Sequence, residues 1–229
     1  MKRFWEIDAT RGLAIVFMVL FNYAFALDYL GIYRIADGPL FWWLFPRIVG
    51  GAFIFVAGVS MMVSLSRSGR ERQIKRGLKI FVLGMAITAV TLAFTTAPIY
   101  FGVLHLIGLS IMLGVFFANL GRLNLLLGAA MIVAGFYLQA FAFSTPWMLW
   151  AGFMPHGFTT LDYFPLLPWF GVFLLGIWAG KKFYKKNARQ FHLRERNPSV
   201  IGFLGRHSLL IYLIHQPLLL LALHVIGLF

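Results

Sequence analysis

Seven stretches of this chain are apolar for long enough to cross a lipid bilayer, and no other feature limits its fold so strongly. They lie at roughly 12–31, 47–66, 78–97, 101–118, 123–142, 164–180 and 200–222, parted by charge clusters and by Gly, Pro and Asn. The hydrocarbon core of a bilayer is about 30 Å thick and takes about 20 helical residues to span. Backbone inside it must satisfy its own hydrogen bonds, which leaves helices as the solution for runs of this length. Composition agrees. Of the 229 residues 61% are hydrophobic and 12% charged, whereas about a quarter of a soluble chain is charged. The sequence therefore reads as an all-α, polytopic transmembrane helix bundle of about seven spans, forming a single domain over residues 1–229. The acids in "MKRFWEIDATRG" set the first run apart from a cleavable signal, whose leading region is basic, so it is expected to stay as the first span.

Charge fixes the expected orientation. With the N-terminus cytoplasmic, 18 of the 20 Lys and Arg fall on the cytoplasmic side, in the N-terminal segment, the loop "RSGRERQIKRGLK", Arg122, and the segment from Lys181 to Arg206. Only Arg34 and Arg47 fall outside. An excess of basic residues on cytoplasmic loops sets membrane topology, so the chain is expected to run N-in, C-out. Most of these cations need do no more than anchor on anionic lipid headgroups. The net charge of +13 thus speaks for a bilayer as partner, with no nucleic acid. Such a chain is expected in a plasma membrane, that of a prokaryote. Cysteine is absent, which excludes disulfides and thiolate chemistry. Two segments assigned to the outer side, 28–46 and 143–163, are rich in Trp, Tyr, Phe, Pro and Gly. They suit an interfacial aromatic belt, and a lid over a cavity is the functional alternative.

Polar side chains inside a span are costly and tend to face the bundle interior. Here the deep ones are Asn22, His105 and His215. Asn22 lies eleven residues, about three helical turns, beyond Arg11, and Asp8 precedes Arg11 by three, so all three share one face. That face carries a charged pair at the cytoplasmic mouth and an amide near mid-membrane. Each residue also has a plain structural use. Asn22 can hold helices together, His215 can serve the backbone disturbed by Pro217, and His105 can bond loop backbone. No carboxylates or histidines stand at ligand spacing on one face, so no metal is expected.

The segments "IDATRGLAIVFMVLFNY", "FIFVAGVSM", "GVLHLIGLSIML", "DYFPLLPWFGVFLLGIWAG" and "GRHSLLIYLIHQP" together resemble one family. It is the heparan-alpha-glucosaminide N-acetyltransferase catalytic-domain family, within the wider group of transmembrane acyltransferases. The resemblance runs from about Glu6 to Pro217. It implies transfer of an acetyl or other acyl group from a coenzyme A thioester, presented from the cytoplasm, to an acceptor on the far side. Asn22 matches an asparagine such enzymes use beside a catalytic histidine, and His215 matches a last-span histidine that recurs across the group. One departure stands out: the family's first-outer-loop histidine would fall near Tyr33, and no histidine occurs before His105.

The chemistry then assigns roles. Acyl transfer needs a base within hydrogen-bond reach and donors for the oxyanion, which suit His215 and Asn22, with His105 as a reserve base. Arg11, with Asp8 beside it, and then Arg76 and Arg206 are expected to hold the phosphates of acetyl-CoA or another acyl-CoA. Asp28, Asp162 and Tyr163 stand on the acceptor side, where a glycan or a lipid-linked sugar is an eligible acceptor and a homodimer is left open. Two other readings remain: a small-solute or lipid transporter, and a non-catalytic binding protein that kept the fold.

Overall fold

A computed structural model of the protein describes residues 4–29, 31–32, 38–94, 97–144, 146–185, 188–192 and 200–225. Arg34, Lys186 and Phe229, which bear on the expected topology, lie outside the described residues, as does Tyr33. The helices are α1 (Trp5–Tyr29), α2 (Pro39–Ser68), α3 (Arg70–Phe94), α4 (Val103–Phe117), α5 (Leu123–Leu138), α6 (Leu166–Phe183), α7 (Val200–Arg206) and α8 (Ser208–Val225). A 3-10 turn, Pro146–Ala151, lies between α5 and α6. After α6 a short antiparallel ribbon pairs β1 (Tyr184–Lys185) with β2 (Ala188–Arg189), the one departure from helix among the described elements.

Each apolar window overlaps helix among the described residues. Four described helical stretches are long and apolar enough to cross a membrane: Trp5–Asp28, Leu40–Ser68, Arg70–Phe94 and Leu166–Phe183. α4 and α5 are apolar but shorter. The last window is not continuous: it is cut at His207 into α7 and α8. Helix ends also differ from the windows. α1 starts seven residues before the window, so that Asp8 and Arg11 lie within its first two turns. Glu6 and Asp8 suit that place, because acids are favoured where the helix dipole is positive. The basic loop at 67–79 shrinks to Gly69, whose φ of +77° is a conformation that glycine adopts without cost. Arg, Lys, Glu and Gln are good helix formers, so α3 continues through "RERQIKR" into the apolar run. Part of the 28–46 aromatic segment is likewise the start of α2.

Packing divides the chain into two compact units. One holds residues up to Phe53 together with Leu193–Phe229, hence α1, the first part of α2, α7 and α8. Here α7 packs closely on α1 through two glycines. Gly12 faces the Ile201 carbonyl and Gly205 faces the Asp8 carbonyl, with no room for a Cβ at either place. Small residues permit such approach where lipid supplies no hydrophobic drive between helices. Farther along α1, Phe17, Phe21 and Phe25 mesh with Phe41, Trp42 and Phe45 of α2. Arg47 lies over the Trp43 ring, 4.3 Å from its centroid, and donates to the Trp43 carbonyl at 2.7 Å, as an interfacial anchor would.

The second unit holds Ile54–His192. α3 and α4 form an antiparallel pair in which Gly77 faces Gly108 and Gly84 faces His105. α5 and α6 do the same, Gly128 against Gly171 and Gly135 against Pro168. The end of α2 lies on α6 through Gly58 and Gly176. Ile54, Met61, Leu106, Phe173, Leu174 and Ile177 are buried at the centre.

Candidate active site

His215 is the best-formed candidate group. α8 turns Ser208, His215 and Leu219 inward, a spacing of seven and four residues that belongs to one helical face, while Ile214 and Leu218 stay exposed. The helices of the expected first and last spans are neighbours, α8 packing on α1 within one unit, and His215 is 6% exposed. Its Nδ1 lies 2.6 Å from the Tyr212 carbonyl. A carbonyl can only accept, so Nδ1 carries the proton and Nε2 bears the lone pair. That Nε2 is buried and has no hydrogen-bond partner among the described residues. The nearby Pro217 has no N–H to give the helix ladder, which loosens the backbone at this turn.

Asn22 continues the inward face of α1, a stripe through Ile7, Arg11, Ile15 and Met18. It is half-buried, and its Nδ2 donates to the Met18 carbonyl at 2.9 Å. That bond fixes the amide orientation. Three turns back, the Arg11 guanidinium lies 3.4 Å from the Asp8 carboxylate, both largely buried. Because Gly205 abuts the Asp8 backbone, this pair sits at the crossing of α1 with α7, where Arg206 is the last residue of α7. Asp28 lies in the last turn of α1.

The other expected residues belong to the second unit. His105 stands in the first turn of α4 and is 1% exposed. Its Nδ1 accepts from the Gly102 amide at 3.2 Å, so the ring proton is on Nε2. Nε2 is 3.2 Å from the Thr88 hydroxyl, whose own hydrogen goes to the Ile99 carbonyl at 2.6 Å. Thr88 therefore accepts from Nε2, and both ring nitrogens are engaged. Phe81 and Phe101 flank the ring.

Asp162 caps the same helix: its Oδ2 accepts from the Val103 amide at 2.9 Å. A carboxylate there meets free N–H groups and the positive end of the helix dipole. Gly102 is required beneath it, since a Cβ would collide with that carboxylate. Tyr163 donates its hydroxyl to the Leu149 carbonyl at 2.8 Å, and burial pushes its pKa above the usual phenol value. Thr160 and Phe164 bond the backbone of Pro98 and Phe101, so the end of the 143–163 segment is fastened along the α3–α4 connection. Arg76 is exposed on α3. Among the described residues no group of three His, Asp or Glu could hold a metal ion.

Sequence reasoning missed the Tyr212 carbonyl, Thr88 and Gly102. The first was accessible from helix geometry, since it lies three residues before His215. The other two depend on how α3 meets α4.

Residues 3–217 match the family model for heparan-alpha-glucosaminide N-acetyltransferase, catalytic. No curated protein and no solved structure matches the chain. With nearly its whole length covered, and with helices of membrane-spanning length and apolarity, the chain belongs to the heparan-alpha-glucosaminide N-acetyltransferase catalytic family of membrane acetyltransferases.

Proposed function

We propose that the protein transfers an acetyl or other acyl group from coenzyme A, bound from the cytoplasm, to a hydroxyl or amine presented at the outer side. The observation that carries this reading is the buried Nε2 of His215, unpaired among the described residues, with the opposite nitrogen held by the Tyr212 carbonyl. A neutral imidazole of that tautomer is a general base ready for use. The Tyr212 carbonyl does for it what a buried carboxylate does in a catalytic triad: it fixes tautomer and ring orientation.

In the reaction the acceptor's oxygen or nitrogen attacks the thioester carbonyl as its proton passes to Nε2. The tetrahedral intermediate collapses, the C–S bond breaks, and the imidazolium returns the proton to the departing thiolate, giving coenzyme A and the acylated acceptor. Asn22, on the helix packed against α8, is the amide we assign to the oxyanion. Arg11 at the crossing of α1 with α7 suits a phosphate, because guanidinium binds such oxyanions in a bidentate fork. The division of basic residues supports presentation of the donor from the cytoplasm. His105 serves as the support of the α3–α4 connection, since both its nitrogens are engaged.

The test is thiol release from acetyl-CoA by the reconstituted protein with sugar amines and alcohols as acceptors. A cysteine-free chain adds no thiol of its own. His215→Ala is expected to lower turnover by about 10²–10⁴-fold, the usual loss of a general base. Wild-type turnover in His215→Ala would overturn the mechanism. The lack of any histidine before His105 favours one other reading, a binding protein that kept the fold. Acetyl-CoA binding without turnover on any acceptor would select it.

A further inference from the structure

At the break between α7 and α8, one small surface combines three recognition elements that the acyl-transfer chemistry does not use. Gly202 and Gly205 turn inward on α7, which leaves Phe203, at 52% exposure, on the open side with Arg206 and His207 three and four residues on. The His207 ring lies against the Phe203 ring, centroids 4.3 Å apart and planes inclined by 39°. The Arg206 guanidinium lies 5.9 Å over the same ring. His207 Nδ1 is 3.0 Å from the Phe203 carbonyl, so Nδ1 carries the proton and Nε2 is an acceptor on an exposed ring. Among the described residues no carboxylate pairs with Arg206.

We infer that Phe203, Arg206 and His207 form the subsite for the nucleotide end of the acyl donor, an inference that rests on the acyl-CoA reading above. The surface offers a flat π face, an acceptor and a guanidinium. An adenosine phosphate offers the complements: a flat heteroaromatic ring, a ribose hydroxyl donor and a phosphate. The adenine ring stacks on the open face of the Phe203–His207 pair, a ribose hydroxyl, out of the base plane, donates to Nε2, and Arg206 takes the phosphate. A lipid headgroup would satisfy Arg206 but brings no flat ring to the aromatic face. The position fits as well. Gly205, next to Arg206, packs on Asp8, so the surface adjoins the crossing that carries Arg11.

The test compares acetyl-CoA with S-acetylpantetheine, which lacks the nucleotide, by calorimetry on the full chain in detergent. Phe203→Ala and His207→Ala should each weaken acetyl-CoA binding by roughly 5- to 150-fold, the range for loss of a stacked base, and leave S-acetylpantetheine unchanged. Phe203→Trp keeps a ring and should restore binding, which separates recognition from damage to the fold. Equal loss for both ligands, or no loss for either, overturns the inference. So does a loss of binding to anionic phospholipid vesicles with acetyl-CoA affinity intact, which would make the surface a membrane anchor. If the wild type binds neither thioester, the acyl-donor reading itself fails; if it binds both and the variants follow it, only the subsite fails.

Discussion

Two buried histidines in this chain look alike in the sequence and differ in what their ring nitrogens meet. Among the described residues His215 Nε2 has no partner, while His105 gives one nitrogen to the Gly102 amide and the other to Thr88. A glutamine at 105 could copy both bonds, accepting with its oxygen and donating with its nitrogen. His105→Gln is therefore expected to keep acyl transfer and lose little stability. His105→Ala strips the Gly102 amide of its acceptor and opens a cavity, and should cost about 1–3 kcal/mol. Activity and thermal midpoint measured on both variants decide the matter: a dead but stable His105→Gln would restore His105 as a base. The sequence could single out Asn22, His105 and His215 because polar groups are rare in apolar runs. It could not tell a spent imidazole from a free one. That distinction lies in partners such as Thr88, seventeen residues from His105, which only the packing of α3 on α4 brings near. Asp162 was likewise visible as a charge beside a span, but its use as the cap of α4 depends on a contact 59 residues away in the chain.

At the scale of elements, glycine pairs set how closely the helices approach. A methyl placed on Gly108 would come within 2.8 Å of the Gly77 carbonyl oxygen and 2.5 Å of the Phe81 amide nitrogen, both backbone atoms that no side-chain rotation can clear. Gly38 is exposed and a methyl there meets nothing within 4 Å. Gly108→Ala should therefore lose about 1–3 kcal/mol or more through overpacking, while Gly38→Ala stays within about 0.5 kcal/mol of wild type. Thermal midpoints in one detergent compare them, and equal midpoints would mean that α3 and α4 can part without penalty. The helices themselves were legible as apolar windows, but their ends were not. Hydropathy marks where a helix meets hydrocarbon, whereas the hydrogen-bond ladder runs on into water wherever good helix formers follow. That is why α1 takes in Asp8 and Arg11, and why Gly69 alone parts α2 from α3. The cut at His207 had no apolar signal at all, since "RHS" sits between two runs that hydropathy joins.

Across the whole chain the separation of charge is what a membrane would read, and within the second unit it is also a separation in space. α3 and α4 are antiparallel, so the start of α3, with Arg70 and Arg72, lies at the end where α4 stops. Lys181 at the end of α6 donates to the Ala118 and Asn119 carbonyls there, at 3.3 and 3.0 Å, just before Arg122. The opposite end of this unit joins the α3–α4 connection to residues 160–164, with Tyr163 bonded to Leu149 of the aromatic segment. α4 and α5 are short for a bilayer crossing, with 15 and 16 residues, or about 22–24 Å of helix against about 30 Å of hydrocarbon. Local thinning and the long side chains of Arg122 and Lys181 can make up such a difference at modest cost. Single cysteines in this cysteine-free chain test the consequence, with a membrane-impermeant maleimide on sealed cells and on inverted vesicles. Arg72→Cys and Arg122→Cys, both exposed, are expected to react only from the cytoplasmic side, and Trp147→Cys, 84% exposed in the native residue, only from outside. A swap of all three would reverse the orientation and with it the side from which coenzyme A must come. A position 122 that reacts from outside would mean that α4 and α5 do not cross, and that the charge of Arg122 had been assigned to the wrong face of the membrane.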